Sequence, residues 1–162
     1  MGLNERRHFK REAPPAVTKI LLTIHIIAVI IAIGPVAVAA SMFPPAARKA
    51  LASGNEADMA TLRLLNRICK VYALVSIAVP LFGFATAGIM GVTGNLWIII
   101  SIVLTGVAAL VLGLLVLPYQ QRVLDGTPTP TAQLAMYTGV FNLLWVAVTV
   151  VMIFRPGSSL NS

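Results

Sequence analysis

The stretch TKILLTIHIIAVIIAIGPVAVAAS, Thr18 to Ser41, carries one imidazole, His25, in an otherwise apolar run. An imidazole can donate, accept or ligate, and an ionisable ring inside such a run is a candidate for function. Later apolar runs carry the hydroxyls Thr86, Ser101 and Thr149 and the carboxamide Asn142. An imidazole and a carboxamide surrounded by hydrocarbon both need hydrogen-bond partners. These five residues are therefore expected to form a connected polar cluster. Metal chemistry is the sharper alternative, because imidazole and thioether together suit Cu(I) or a low-spin haem iron. Met90 is the thioether nearest His25 in depth, Met152 is similarly shallow, and His8 would have to fold back from the tail. Cys69 is the only cysteine, so neither an internal disulfide nor a CxxC metal site exists. The chain has no Ser/His/Asp set, carboxylate pair or phosphate-cradling glycine loop, which argues against an enzyme.

The elements that must position these groups follow from composition. Of 162 residues, 58% are hydrophobic and only 10% charged, and the mean hydropathy is +0.90. A water-soluble domain carries roughly a quarter of its residues charged. From Val71 to Pro118 there is no formal charge at all. This is the composition of a polytopic membrane protein. The net charge of +7 comes from basic residues flanking apolar runs, where they meet anionic headgroups rather than nucleic acid.

Crossing about 30 Å of hydrocarbon takes roughly 20 residues of helix. Four segments qualify, at about 18–40, 71–92, 96–117 and 133–154. An all-α, antiparallel bundle of four transmembrane helices is expected, forming a single domain over 18–154. A basic tail (1–17) precedes it and a polar tail (155–162) follows. Pro44 and Pro45 are expected to end the first span, a tight Thr93–Asn95 turn to join the second and third, and Pro118 to close the third. The segment from Asn55 to Lys70, with Glu56 and Asp58 in its first turn, predicts a basic juxtamembrane helix running straight into the second span. Arg63, Arg67 and Lys70 on it are candidates for lipid headgroup contact. A basic start followed by an apolar run and Ala37-x-Ala39 also outlines a cleavable signal, although the run exceeds the usual length.

Helices in lipid associate through small residues and polar contacts. Expected packing positions are Gly83, Ala87 and Gly91 on the second span, Thr105, Ala109 and Gly113 on the third, and Gly139 on the fourth. Trp97 is placed as an interfacial anchor. At about 1.5 Å per residue, His25, Thr86, Ser101 and Thr149 all fall roughly 7–11 Å below one interface, with Asn142 and Thr105 deeper.

His25 with Gly34 nine residues later, the stretch VPLFGFATAGIMG, a Trp at the next helix start and Pro118 before a basic loop carry a resemblance. Over roughly residues 18 to 154 the chain resembles a family of small bacterial four-helix membrane proteins of unknown function. More distantly, the His-bearing first helix is similar to those of haem-pathway oxidases and copper-resistance membrane proteins. That likeness implies haem or copper binding at His25, although those proteins use further ligands and this chain has no second intramembrane histidine. The residues themselves favour a structural or accessory membrane subunit, homo-oligomeric or docked on a membrane partner, and the resemblance implies the bacterial plasma membrane. A component of a small-solute transporter is a further alternative.

The basic residues divide evenly between the two sides. The first helix usually dominates orientation, so both termini are placed in the cytoplasm. Single cysteines introduced at Ser53 and Thr129 should then react with an impermeant maleimide applied outside, whereas a cysteine in the N-terminal tail should not.

Overall fold

Apolar runs that satisfy their backbone groups internally fold as helices, as the computed structural model shows for residues 15–157, the part of the chain it describes. Among the described residues, four helices are long and apolar enough to cross a membrane: Ala16–Ser53, Glu56–Met90, Leu96–Leu124 and Thr131–Phe154. They resolve into α1 (Pro15–Ser53), α2 (Glu56–Val75), α3 (Ala78–Met90), α4 (Leu96–Leu110), α5 (Leu117–Leu124) and α6 (Thr131–Phe154). Arg6, Arg7, His8, Lys10, Arg11 and the residues after Gly157 lie outside the described part.

The outer faces are the apolar ones. Ile30, Leu74 and Leu143 are 66%, 70% and 69% exposed, an arrangement that water would penalise and hydrocarbon would not. Inside, α1 packs along α2 and α3, and α6 lies between α1 and α4. The largest core cluster joins Phe43, Ala47 and Ala50 of α1 to Leu62, Leu65 and Cys69 of α2.

That cluster corrects the expected end of the first span. α1 contains Pro35, Pro44 and Pro45 and continues to Ser53. Each proline removes one helical N–H and crowds the preceding turn. Here the chain beyond them is held by packing, since Phe43, Ala47 and Ala50 are fully buried. Helix α1 stops instead at Gly54, whose φ of +61° is left-handed and whose N–H reaches Ala50 O at 3.0 Å. Asn55 then caps α2 by accepting from Ala57 N at 3.0 Å. Lys49 Nζ and Ser53 Oγ both donate to Asp58, each at 2.8 Å. The Lys49 ammonium foremost, and the Ser53 hydroxyl after it, hold the Asp58 carboxyl below the usual carboxylate range. This clasp therefore favours the fold above the ordinary carboxylate pKa and is lost as pH falls through the lowered value.

Two further helices depart from the expected outline. The helix from Asn55 continues unbroken past Lys70 as far as Val75, but the second span is not straight. It bends at Ser76 and Ile77, where Ile77 N bonds Leu74 O and Val79 N bonds Ser76 O, three residues back in each case. Pro80 is the cause, because it has no N–H for Ser76 O and its ring crowds that carbonyl. Pro118 likewise does not close the third span. The segment Val111–Val116 widens into a π-helix, which accommodates the proline, and the helix continues as α5 to Leu124.

The two irregular segments separate two ends of the molecule. At one end α2 and α5 are joined by amides: Asn66 Nδ2 donates to Gln120 Oε1 at 3.0 Å, and Gln120 Nε2 to Cys69 Sγ at 3.5 Å. Asn66 and Gln120 are 4% and 0% exposed. Lys70 Nζ adds a bond to Gln121 Oε1 at 2.7 Å. At the other end α3 and α4 scarcely touch.

Truncating either buried amide leaves its partner unsatisfied, at a cost of about 1–3 kcal/mol. Asn66→Ala should lower the thermal unfolding midpoint in detergent, while Asn66→Leu combined with Gln120→Leu should recover most of the loss.

Candidate functional site

The gap between α3 and α4 is a cavity of about 400 Å³, walled also by α1 and α6. His25 forms part of the α1 wall and is 8% exposed. Its Nδ1 lies 3.1 Å from Val79 O. A carbonyl oxygen only accepts, so Nδ1 carries the proton and donates. In the neutral ring Nε2 then holds the lone pair, and no residue among those described hydrogen-bonds to it.

The local sequence of α3 explains how an imidazole on α1 reaches a helical carbonyl. Side chains on a helix lean toward its N-terminus, so the residue four positions on covers a given carbonyl. For Val79 that residue is Gly83. A Cβ built on Gly83 would stand 3.1 Å from His25 Cε1 and 3.5 Å from Nδ1. The missing side chain is the space the ring occupies.

The cavity gathers residues from all four spans. Thr86, Ser101 and Thr149 line it together with His25. Thr86 and Ser101 are 6% and 2% exposed. They are not, however, linked to His25 or to one another. Thr86 Oγ1 donates to Phe82 O at 2.7 Å, Ser101 Oγ to Trp97 O at 2.8 Å and Thr149 Oγ1 to Trp145 O at 2.9 Å. Each hydroxyl is satisfied within its own helix, so the expected connected network is replaced by separate groups facing one space.

Asn142 does not line this cavity. Its Nδ2 donates to Ser41 Oγ at 2.9 Å, and it lines a shallower hollow between α1 and α6 with Ile33, Ala37 and Thr149, which borders both spaces. The need of a carboxamide for a partner had grouped it with His25 although it lies deeper, but its direction around α6 differs.

Met90 and Met152 line the cavity with His25. Among the described residues no three His, Cys, Asp or Glu side chains come together as a metal site. The packing positions divide. Gly83 and Ala87 meet the cavity wall, and Thr105 and Ala109 line the cavity instead of packing against a helix. Gly91 ends α3 with a φ of +66°, and Gly113 and Gly139 have nothing within 4 Å of a built Cβ. Trp97, 7% exposed, is buried rather than set at the surface, and the Arg155 guanidinium lies 5.2 Å from its ring centroid. Arg155 lines the cavity too. Of the basic residues on α2, Arg67 is exposed, Arg63 Nη1 pairs with Glu56 Oε1 at 2.5 Å, and Lys70 is tied to Gln121.

Sequence reasoning had missed Asn66 and Gln120, since an amide beside charged residues gives no sign that it is buried.

Gly83→Ala should crowd the ring at Val79 O, and the loss of about 1 kcal/mol should offset the helix-propensity gain of about 0.5–1 kcal/mol, leaving the thermal unfolding midpoint near that of the wild type. Gly88→Ala, in open space on the same helix, should instead gain up to about 0.5–1 kcal/mol from helix propensity. No family model, curated protein or solved structure matches this chain.

Proposed function

We propose that this is a multi-pass protein of the bacterial plasma membrane, its four spans antiparallel, acting as a non-enzymatic accessory protein that holds a lipid-soluble molecule in the cavity at His25. One observation carries this reading. A buried imidazole is fixed through Nδ1 to a backbone carbonyl and leaves Nε2 unpartnered on the wall of an apolar cavity between two spans. Ligand sites of this kind are mostly apolar hollows with a few placed polar groups. The resemblance to small bacterial four-helix membrane proteins belongs with this reading, as do the exposed apolar faces, which suit lipid or a membrane partner.

A second reading, haem or copper at His25, is favoured by the same hydrogen bond. Metal-binding histidines characteristically donate their other ring nitrogen to a carbonyl or carboxylate, which fixes the tautomer. The donor set is one imidazole with the thioethers of Met90 and Met152, which line the same cavity from other helices. It fits a soft metal or a haem with mixed ligation and does not fit bis-histidine ligation by the described residues.

Both readings can be tested on one purified sample. Organic extracts of the wild type should contain a lipid-soluble compound, stoichiometric with protein and enriched over bulk lipid. Thr105→Phe, which fills the cavity, should lose it. A visible Soret band or stoichiometric copper that disappears in His25→Ala would select the second reading. An extract identical to bulk lipid, from colourless and metal-free protein, would overturn both.

A further inference from the structure

The hydrogen-bond roles around the cavity narrow the chemistry of what it would hold, and this step rests on the reading that the cavity is occupied by a lipid-soluble molecule. We infer that the occupant is uncharged and carries a hydroxyl head that donates to His25 Nε2. The tautomer is the first ground. With Nδ1–H given to Val79 O, the neutral ring offers the cavity an acceptor and no donor.

The hydroxyls are the second ground. Thr86, Ser101 and Thr149 each donate their single hydrogen to a carbonyl of their own helix. What each retains is lone-pair capacity. Four separate groups on four different helices therefore share the same polarity, and a head that only accepts, such as an ether or an isolated carbonyl, leaves them all without a complement. The remaining polar groups on the wall are Arg155, which stacks on Trp97, Trp145 Nε1, which is buried without a partner, and the Thr105 hydroxyl, which can donate or accept. The tautomer of His25 is therefore the ground that decides the head group.

Charge is the third ground. No Asp or Glu lines the cavity, so an ammonium head would enter a low-dielectric space without a counter-charge. A carboxylate or phosphate head placed at His25 would meet lone pairs there and at Thr86, Ser101 and Thr149, while Arg155, the cation on the wall, is drawn over the Trp97 ring. A hydroxyl gives the one proton required and carries no charge. The apolar remainder of the wall, including Val29, Val79 and Val148, suits an isoprenoid or alkyl body.

The experiment compares an isoprenoid alcohol with its own methyl ether, which has the same chain but no donor. An alcohol one carbon longer controls for the added methyl group. Protein in nanodiscs of defined lipid is titrated with each, and emission from Trp97 and Trp145, both on the cavity wall, reports occupancy. One buried hydrogen bond corresponds to a preference for the alcohol of about tenfold. That preference should vanish in His25→Phe, and it should fall in Gly83→Ala, which displaces the ring without removing it. Equal affinity for alcohol and ether, or a preference that survives in His25→Phe, would overturn the hydroxyl assignment and leave the occupied cavity standing. If none of the three ligands changes the emission, the cavity reading falls along with it.

Discussion

Where the surroundings of a helix are as apolar as its own side chains, burying one more leucine selects nothing, and polar or close contacts decide which helices meet and where. In this chain the Asn66–Gln120 amide pair holds α2 against α5, and Gln120 Nε2 in turn donates to Cys69 Sγ of the same helix as Asn66. Lacking any comparable pair between α3 and α4, the same two spans part at their other end. The bend at Ser76–Ile77 and the π-helix at Val111–Val116 lie between the joined and the parted ends. The cavity is the geometric consequence of spans clasped on one side of two irregular turns and free on the other.

The imidazole illustrates how one constraint serves several ends. Pro80 bends the second span and Gly83, three residues later, removes the side chain that would cover Val79 O. The ring of His25 fills that space and bridges two helices through a single hydrogen bond. An imidazole in hydrocarbon needs a partner, and a backbone carbonyl provides one that no side-chain rotamer change can withdraw. The bond also chooses the tautomer, and through it the polarity that the cavity presents. The bond between helices and the proposed ligand contact thus rest on the same ring, one on each nitrogen.

Prolines proved poor punctuation in this chain. Pro44, Pro45 and Pro118 read as stops because, in water, a lost N–H and a crowded turn cost about 3 kcal/mol. In the structure these costs are met locally, by the packing of Phe43, Ala47 and Ala50 in the first helix and by a widened π turn in the third. The true end of α1 is marked by Gly54 and Asn55, residues whose own backbone and side chain complete the termini. Turn chemistry was the more dependable signal than missing donors.

The number and order of the four apolar helices were legible in the sequence, because hydropathy and absence of charge are properties of a segment by itself. His25, Thr86, Ser101 and Thr149 line one cavity, as their similar counts from the ends of the apolar runs allow. Direction around the helix axis was not legible. It depends on how each helix is rotated against its neighbours, and that separated Asn142, bonded to Ser41 on another face, from the cavity. Nor could the sequence tell that the Thr105 and Ala109 stripe would line a space rather than a contact, or that Asn66 and Gln120 would meet. Those outcomes belong to pairs of residues far apart in the chain, and only the packing of whole helices brings them together or keeps them apart.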